Sequence, residues 1–242
     1  TAMGDGSLAS GNNSTAVGQN AQATAAGASA FGNGSQAFGA YASAFGQGAK
    51  GLLTGSSAFG SNAQAKNNQS TSMGYRATAG STGSLGTMLA GDTAVGAYAS
   101  ATDPNVDNFL NTTTGQPCTT AGCGPSMRRG PSTSLGYFAN AKDASVALGA
   151  YSRAWTFATA VGVKTRATGA YSGAFGFQAK AYGAMSQALG AYAKVSSSGK
   201  FSTAIGVVSD ASGYSSNAFG GFARAMGIRL FRLVPDLFDL PT

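Results

Sequence analysis

The sequence predicts an all-β chain built as a parallel β-roll, a solenoid whose turns are about 14 residues long. Three observations predict it. A short motif ending in glycine recurs at a fixed step, small and large residues alternate around that glycine, and glycine is too frequent for helices. The chain has 242 residues, of which 37 are glycine, about twice the average share. At about 1 kcal/mol for each glycine in a helix interior, no helix survives that density.

The motif is a small residue, an apolar residue and glycine. It stands as Ala2-Met3-Gly4, Ala16-Val17-Gly18, Ala30-Phe31-Gly32, Ala44-Phe45-Gly46, Ala58-Phe59-Gly60 and Ser72-Met73-Gly74, with 14 residues between successive glycines. Irregular steps follow at Ser84-Leu85-Gly86 and Ala94-Val95-Gly96. The motif resumes at Gly136, Gly149, Gly162, Gly176, Gly190, Gly206 and Gly220, fifteen copies in all. A fixed internal period is the signature of a stacked repeat.

The second half of each unit is patterned too. Three residues after the glycine comes a small residue (Ala21, Ala63, Ser152, Ala193), and five after it is nearly always alanine (Ala23, Ala65, Ala154, Ala181). Alternation of this kind marks strands, so each unit reads as two short strands joined by two tight turns. Glycine supplies the turns because it accepts positive φ without steric cost. Recurring aromatic and branched residues separate this chain from a flexible Gly/Ser/Ala linker.

With alanine inside, the coil is narrow, and the residue before each glycine points outward. Val17, Phe31, Phe45, Phe59, Leu148, Val161, Phe175, Leu189, Ile205 and Phe219 then form an apolar row. A row this long is implausible on a soluble monomer and is expected to pack against copies of the chain in a cyclic homo-oligomer. The competing expectation places the phenylalanines inside a monomeric coil.

Residues 102–133 interrupt the pattern as an inserted loop. They carry Pro104, Pro117, Pro125 and Pro131, the cysteines Cys118 and Cys123, and the pair Arg128-Arg129. Proline disfavours central strands. Cys118 and Cys123 are candidates for a small disulfide ring at an oxidising surface, with free thiols the alternative. The loop is read either as an added binding surface or as a tolerated ornament. The repeat fills 1–101 and resumes over 134–225. Residues 226–242 leave it, as a cap, a neck or residues carried over from expression.

Position four after each glycine is expected to face outward. It reads Arg153, Arg166, Lys180, Lys194, Asp210 and Arg224 in the second half, against Gln22, Gln36, Lys50, Gln64 and Thr78 in the first. Position two, expected on the same face, holds Tyr151, Lys164, Gln178, Tyr192, Val208 and Phe222. The candidate ligand-binding residues are therefore Tyr151, Arg153, Lys164, Arg166, Lys180, Tyr192, Lys194, Phe222 and Arg224, suited to an anionic partner such as a sulfated glycan or an acidic stretch of a matrix protein. Solubility is the plainer explanation of such charges.

Other functions find no support. Histidine is absent and the eight acidic residues are scattered, so no acid–base pair or activated nucleophile is in view. No cofactor loop, calcium-roll motif or metal-ligand set is present in the sequence. No nucleic-acid module accompanies the net charge of +7, and no nucleic-acid partner is expected. No apolar run approaches the ~20 residues that span a bilayer. The opening Thr1-Ala2-Met3-Gly4 already lies within the repeat, so the natural chain is expected to continue upstream.

The units at Ser14-Thr15-Ala16-Val17-Gly18, Ser145-Val146-Ala147-Leu148-Gly149 and Ser202-Thr203-Ala204-Ile205-Gly206 resemble the head repeats of trimeric autotransporter adhesins, the YadA-like family. The resemblance covers about residues 1–225. It implies a left-handed roll, three chains per head and no catalysis. It also implies display on a Gram-negative outer membrane through a C-terminal anchor not contained in this sequence. The implied role is attachment to extracellular matrix protein, host cells or other bacteria. A passive spacer rod that projects another domain is the alternative.

Overall fold

The computed structural model describes residues 1–80, 91–102 and 131–227, together with the backbone pairing of 109–110, 117–118 and 231–233. The chain divides into two compact units, Thr1–Thr133 and Ser134–Thr242. Each is an all-β parallel solenoid, and together they hold about 13 turns with a spacing of roughly 14 residues.

In the first unit one ladder runs through Thr15–Val17, Ser29–Phe31, Ser43–Phe45, Ser57–Phe59, Thr71–Met73 and Thr93–Val95. The other runs through Gln22–Ala23, Gln36–Ala37, Lys50–Gly51, Gln64–Ala65, Thr78–Ala79 and Ser100–Thr102. Every pairing is parallel and in register with the repeat, as in Ala16↔Ala30↔Ala44 and Gln22↔Gln36↔Lys50. The second unit repeats the arrangement through Val146–Leu148, Thr159–Val161, Gly173–Phe175, Gln187–Leu189, Thr203–Ile205 and Asn217–Phe219.

The interior is alanine and serine. Ala16, Ala30, Ala44 and Ala58 in the first unit, and Ala147, Ala160, Ala174 and Ala188 in the second, are wholly buried. Each methyl-sized group contributes only about 0.8 kcal/mol, so backbone pairing carries an unusual share of the cohesion. Several inward hydroxyls bond turn carbonyls: Ser14 Oγ donates to Gly11 O at 2.7 Å, Ser152 Oγ to Gly149 O at 2.7 Å and Ser186 Oγ to Gly183 O at 2.6 Å, while Ser132 Oγ is buried without a partner.

The repeat glycine has two reasons to be glycine. Gly32 and Gly176 have φ of +125° and +124°, a region that L side chains rarely enter. A Cβ on Gly32 would also lie 2.7 Å from the carbonyl of Gly46, one turn on. Successive turns thus cross at a column of glycines too close for any side chain.

The structure bears on three of these expectations. First, Met73 pairs directly with Val95 and Thr78 with Ser100, and the expected step at Ser84-Leu85-Gly86 lies outside the described residues. Second, the tail does not leave the roll entirely. Phe231–Leu233 pairs in parallel with Asn217–Phe219, because an edge strand's free N–H and C=O groups accept any extended segment, whatever its side chains. Third, the insertion is shorter than 102–133. Thr102 and Thr133 both belong to strands. Within it, Phe109–Leu110 and Pro117–Cys118 form an antiparallel pair. The candidate disulfide of Cys118 with Cys123 lies outside the described side chains.

Candidate ligand-binding face

Each turn presents two outward faces, one per ladder. The face of the three-residue strands carries the apolar row. Val17, Phe31, Phe45 and Phe59 in the first unit are half-buried, as are Leu148, Val161, Leu189 and Phe219 in the second. Phe175 and Ile205 are exposed. None is tucked inside its own coil, where alanine fills the space. Phe31 and Phe45 stack with ring centroids 4.8 Å apart, and Phe45 and Phe59 at 5.3 Å, close to the spacing of neighbouring strands.

The opposite face carries position four. In the second unit Arg153↔Arg166, Arg166↔Lys180 and Lys180↔Lys194 are direct register partners. Asp210 and Arg224 follow in the same ladder. Arg153, Arg166, Lys194 and Arg224 are exposed, and Lys180 is half-buried. Among the described residues no carboxylate forms an ion pair with any of these cations. Asp210 interrupts the positive run, and its Oδ1 is buried without a hydrogen-bond partner.

Position two does not share this face. Tyr151, Lys164, Tyr192 and Phe222 sit in the first turn with φ of 57°, 58°, 59° and 58°. The left-handed residue rotates the chain from one ladder to the other, so strand alternation does not carry through it. These side chains form the rim of the face. Tyr151 is stacked on Phe138 at 5.6 Å and meets Tyr137 edge-on at 5.5 Å, while Phe177 meets Tyr192 edge-on at 5.4 Å.

Sequence reasoning missed position six, which does share the face. There Lys142, Trp155 and Tyr182 stand two residues beyond Asn140, Arg153 and Lys180. Trp155 is exposed and Tyr182 half-buried, and Lys142 Nζ lies 5.7 Å from the Trp155 ring centre. The signal was available, because alternation from positions three, four and five puts position six outward.

Two titratable groups of the first unit are perturbed. Burial, and next to it the charge of Lys50, lowers the Lys66 pKa. Buried Asp92 has its pKa raised by desolvation, against the opposing bonds from the Ser132 N–H and the Asn67 amide. Among the described residues no group of three or more His, Cys, Asp or Glu could hold a metal ion.

The matched family model is described as the YadA head domain repeat (2 copies), over residues 1–21, 23–49, 54–84 and 156–179. No protein in the curated collection matches. One similar solved structure is the crystal structure of the collagen-binding domain of the Yersinia adhesin YadA. It is 18% identical, with 97% of this chain and 77% of that chain covered and a TM-score of 0.22, a likeness too low to bear on function. The rungs at 187–189, 203–205 and 217–219 keep the register of the matched ones, so the same geometry continues beyond the matched segments.

Proposed function

Taking as premise that the chain carries YadA-like head repeats, we propose that it is the head of a bacterial cell-surface adhesin. In this reading the roll is left-handed, three chains assemble around the apolar row, and the outer face attaches to extracellular matrix protein or host cells. The observation that supports it is the coincidence of the matched repeats with the rungs. Residues 1–21, 23–49 and 156–179 fall on turns whose inward positions are alanine, serine or, at Thr165, threonine, and whose outward positions vary. A scaffold that spends its small residues on stacking and leaves its outward positions free is suited to recognition.

Assembly around the apolar row has a physical basis. A half-exposed column of Val, Phe, Leu and Ile loses its water by meeting its own copies around an axis. Light scattering is expected to give a molar mass near three times 23.8 kDa. A mass of one chain would overturn the assembly.

Attachment is tested by solid-phase binding of the 242-residue chain to collagen, fibronectin, laminin and cultured host cells. Saturable binding to at least one supports the adhesin head. Failure against all four would leave the passive spacer as the better account.

A further inference from the structure

The two units share one backbone plan but differ in what they place at position four. The first unit carries Gln22, Gln36, Lys50, Gln64 and Thr78, and the second carries Arg153, Arg166, Lys180 and Lys194 in unbroken register. Charge added for solubility has no reason to concentrate on one unit. Rungs repeat at about 4.8 Å, and like charges held directly opposite one another in neighbouring strands repel. From Arg153 to Lys180 the run has only cations as register neighbours, and Asp210 enters the ladder only beyond Lys194, so complementary charge for the run is expected from outside. A partner that satisfies the ladder must itself be extended and carry anionic groups at short, regular intervals.

Position six narrows the chemistry. Trp155 and Tyr182 lie on the cationic face two rungs apart, about 10 Å, with Arg166 and Thr168 on the rung between them. Aromatic rings set among cations suit the apolar faces of sugar rings, while the cations take sulfate and carboxylate groups. Nucleobases also stack on aromatic residues, but two platforms about 10 Å apart cannot share a continuous base stack. An acidic peptide would use the cations and leave the rings idle.

We propose that the outer face of the second unit, built from Arg153, Trp155, Arg166, Lys180, Tyr182 and Lys194, binds a linear sulfated polysaccharide. The proposal rests on the adhesin reading for its setting, and it adds a partner class and the position-six residues.

The probe is heparin, measured by calorimetry against the 242-residue chain at low and high salt. Replacing Arg153, Arg166, Lys180 and Lys194 together by Gln is expected to weaken binding at least about tenfold. The slope of log affinity against log salt should flatten by roughly one unit per lost contact. Trp155→Ala with Tyr182→Ala is expected to weaken binding while leaving that slope unchanged. All these side chains are outward, so circular dichroism should match the parent, and a variant with altered spectra is replaced by single substitutions. Undiminished heparin binding by the four-Gln variant overturns the proposal. So does equal or tighter binding of polyglutamate or single-stranded DNA, and so does indifference to loss of both rings. The adhesin reading fails separately. Attachment to cells enzymatically stripped of sulfated glycans, together with no heparin binding, rejects the glycan face and keeps the adhesin. Heparin binding that persists with no attachment to any cell or matrix protein does the reverse.

Discussion

The carboxylate of Asp92 accepts a hydrogen bond from the backbone N–H of Ser132 at 2.8 Å, across 40 residues of sequence. Its other oxygen accepts from the Asn67 side-chain amide at 2.8 Å. Asp92 stands where other turns place a serine or alanine, such as Ser70 and Ser56. Ser70 Oγ bonds within its own turn, to Asn67 O at 2.8 Å, while Ser202 Oγ accepts from the Ser216 N–H of the next turn at 2.9 Å. The longer carboxylate joins the rung before the break to the point where the chain returns from the insertion.

Asp92 also makes stability depend on pH. Burial raises its folded pKa above the ordinary carboxylate value, so the folded state holds a proton that the unfolded chain has released. That contribution is full below the unfolded pKa and is lost as pH rises through the raised folded value. Asp92→Asn cannot ionise. Its side-chain oxygen keeps the Ser132 bond, and its NH2 meets the Asn67 Oδ1 once that amide flips, the Asn67 Nδ2 then taking the place of the unpartnered oxygen. The variant is expected to be more stable than the parent at neutral pH and to lose the decline between acid and neutral. Urea midpoints across that range check this, and an unaltered pH dependence would assign it to another group.

Gly176→Ala is expected to destabilise the second unit by about 2 kcal/mol or more, since the new Cβ meets both a left-handed φ and backbone it cannot displace. The nearest atom is the Gly190 carbonyl oxygen at 2.7 Å. Thermal unfolding measures it. An unchanged midpoint would mean that the turns do not cross as closely as described.

Val195 and Gly199 form a compensating pair. Val195 fills an inward position that is alanine in neighbouring rungs, as its register partner Ala181 shows, and a Cβ on Gly199 would fall 2.6 Å from Val195 Cγ1. Gly199→Ala alone is expected to cost roughly 1–3 kcal/mol from overpacking. In the Val195→Ala background the cost should fall but not vanish, because the Ala211 carbonyl oxygen also lies 2.8 Å from that Cβ. A double-mutant cycle reads the coupling, and simple additivity would refute the pairing.

Val208 is β-branched, exposed and left-handed, with φ of 59°. Val208→Asn is expected to stabilise by about 1 kcal/mol, because Asn tolerates that conformation and Val does not. Chemical denaturation decides it. A loss of stability would show that the Val208 side chain packs against something in the assembled molecule.

Phe45→Asp places a charge in the middle of the stacked Phe31–Phe45–Phe59 row. If copies meet there, light scattering should show the mass fall to one chain, because a buried unpaired carboxylate is costly. A variant that keeps the parent's mass would move any interface elsewhere.

Much of the fold was legible because its determinants are local. The glycine step, the inward Ala16 and Ala23 and the outward Phe31 and Arg153 all follow from a two-residue alternation and a fixed period. What was not legible depends on geometry that alternation does not encode. Tyr151 was assigned to the ladder face because the left-handed turn before it breaks the alternation unseen. Trp155 was overlooked although the same alternation, continued one step, places it beside Arg153. The pairing of Met73 with Val95 depends on which segments meet, which the motif alone does not encode. Phe231–Leu233 pairs with Asn217–Phe219, and the repeat motif does not announce it.

The glycine column has a further consequence. Because successive turns meet through bare backbone at these glycines, an outward side chain does not set how closely the turns approach there. A change from Gln to Arg at position four alters what the surface recognises while leaving the fit between turns alone, and whole turns can be gained or lost on the same terms. Such a molecule can revise its specificity one letter at a time, and lengthen or shorten, without refolding its architecture.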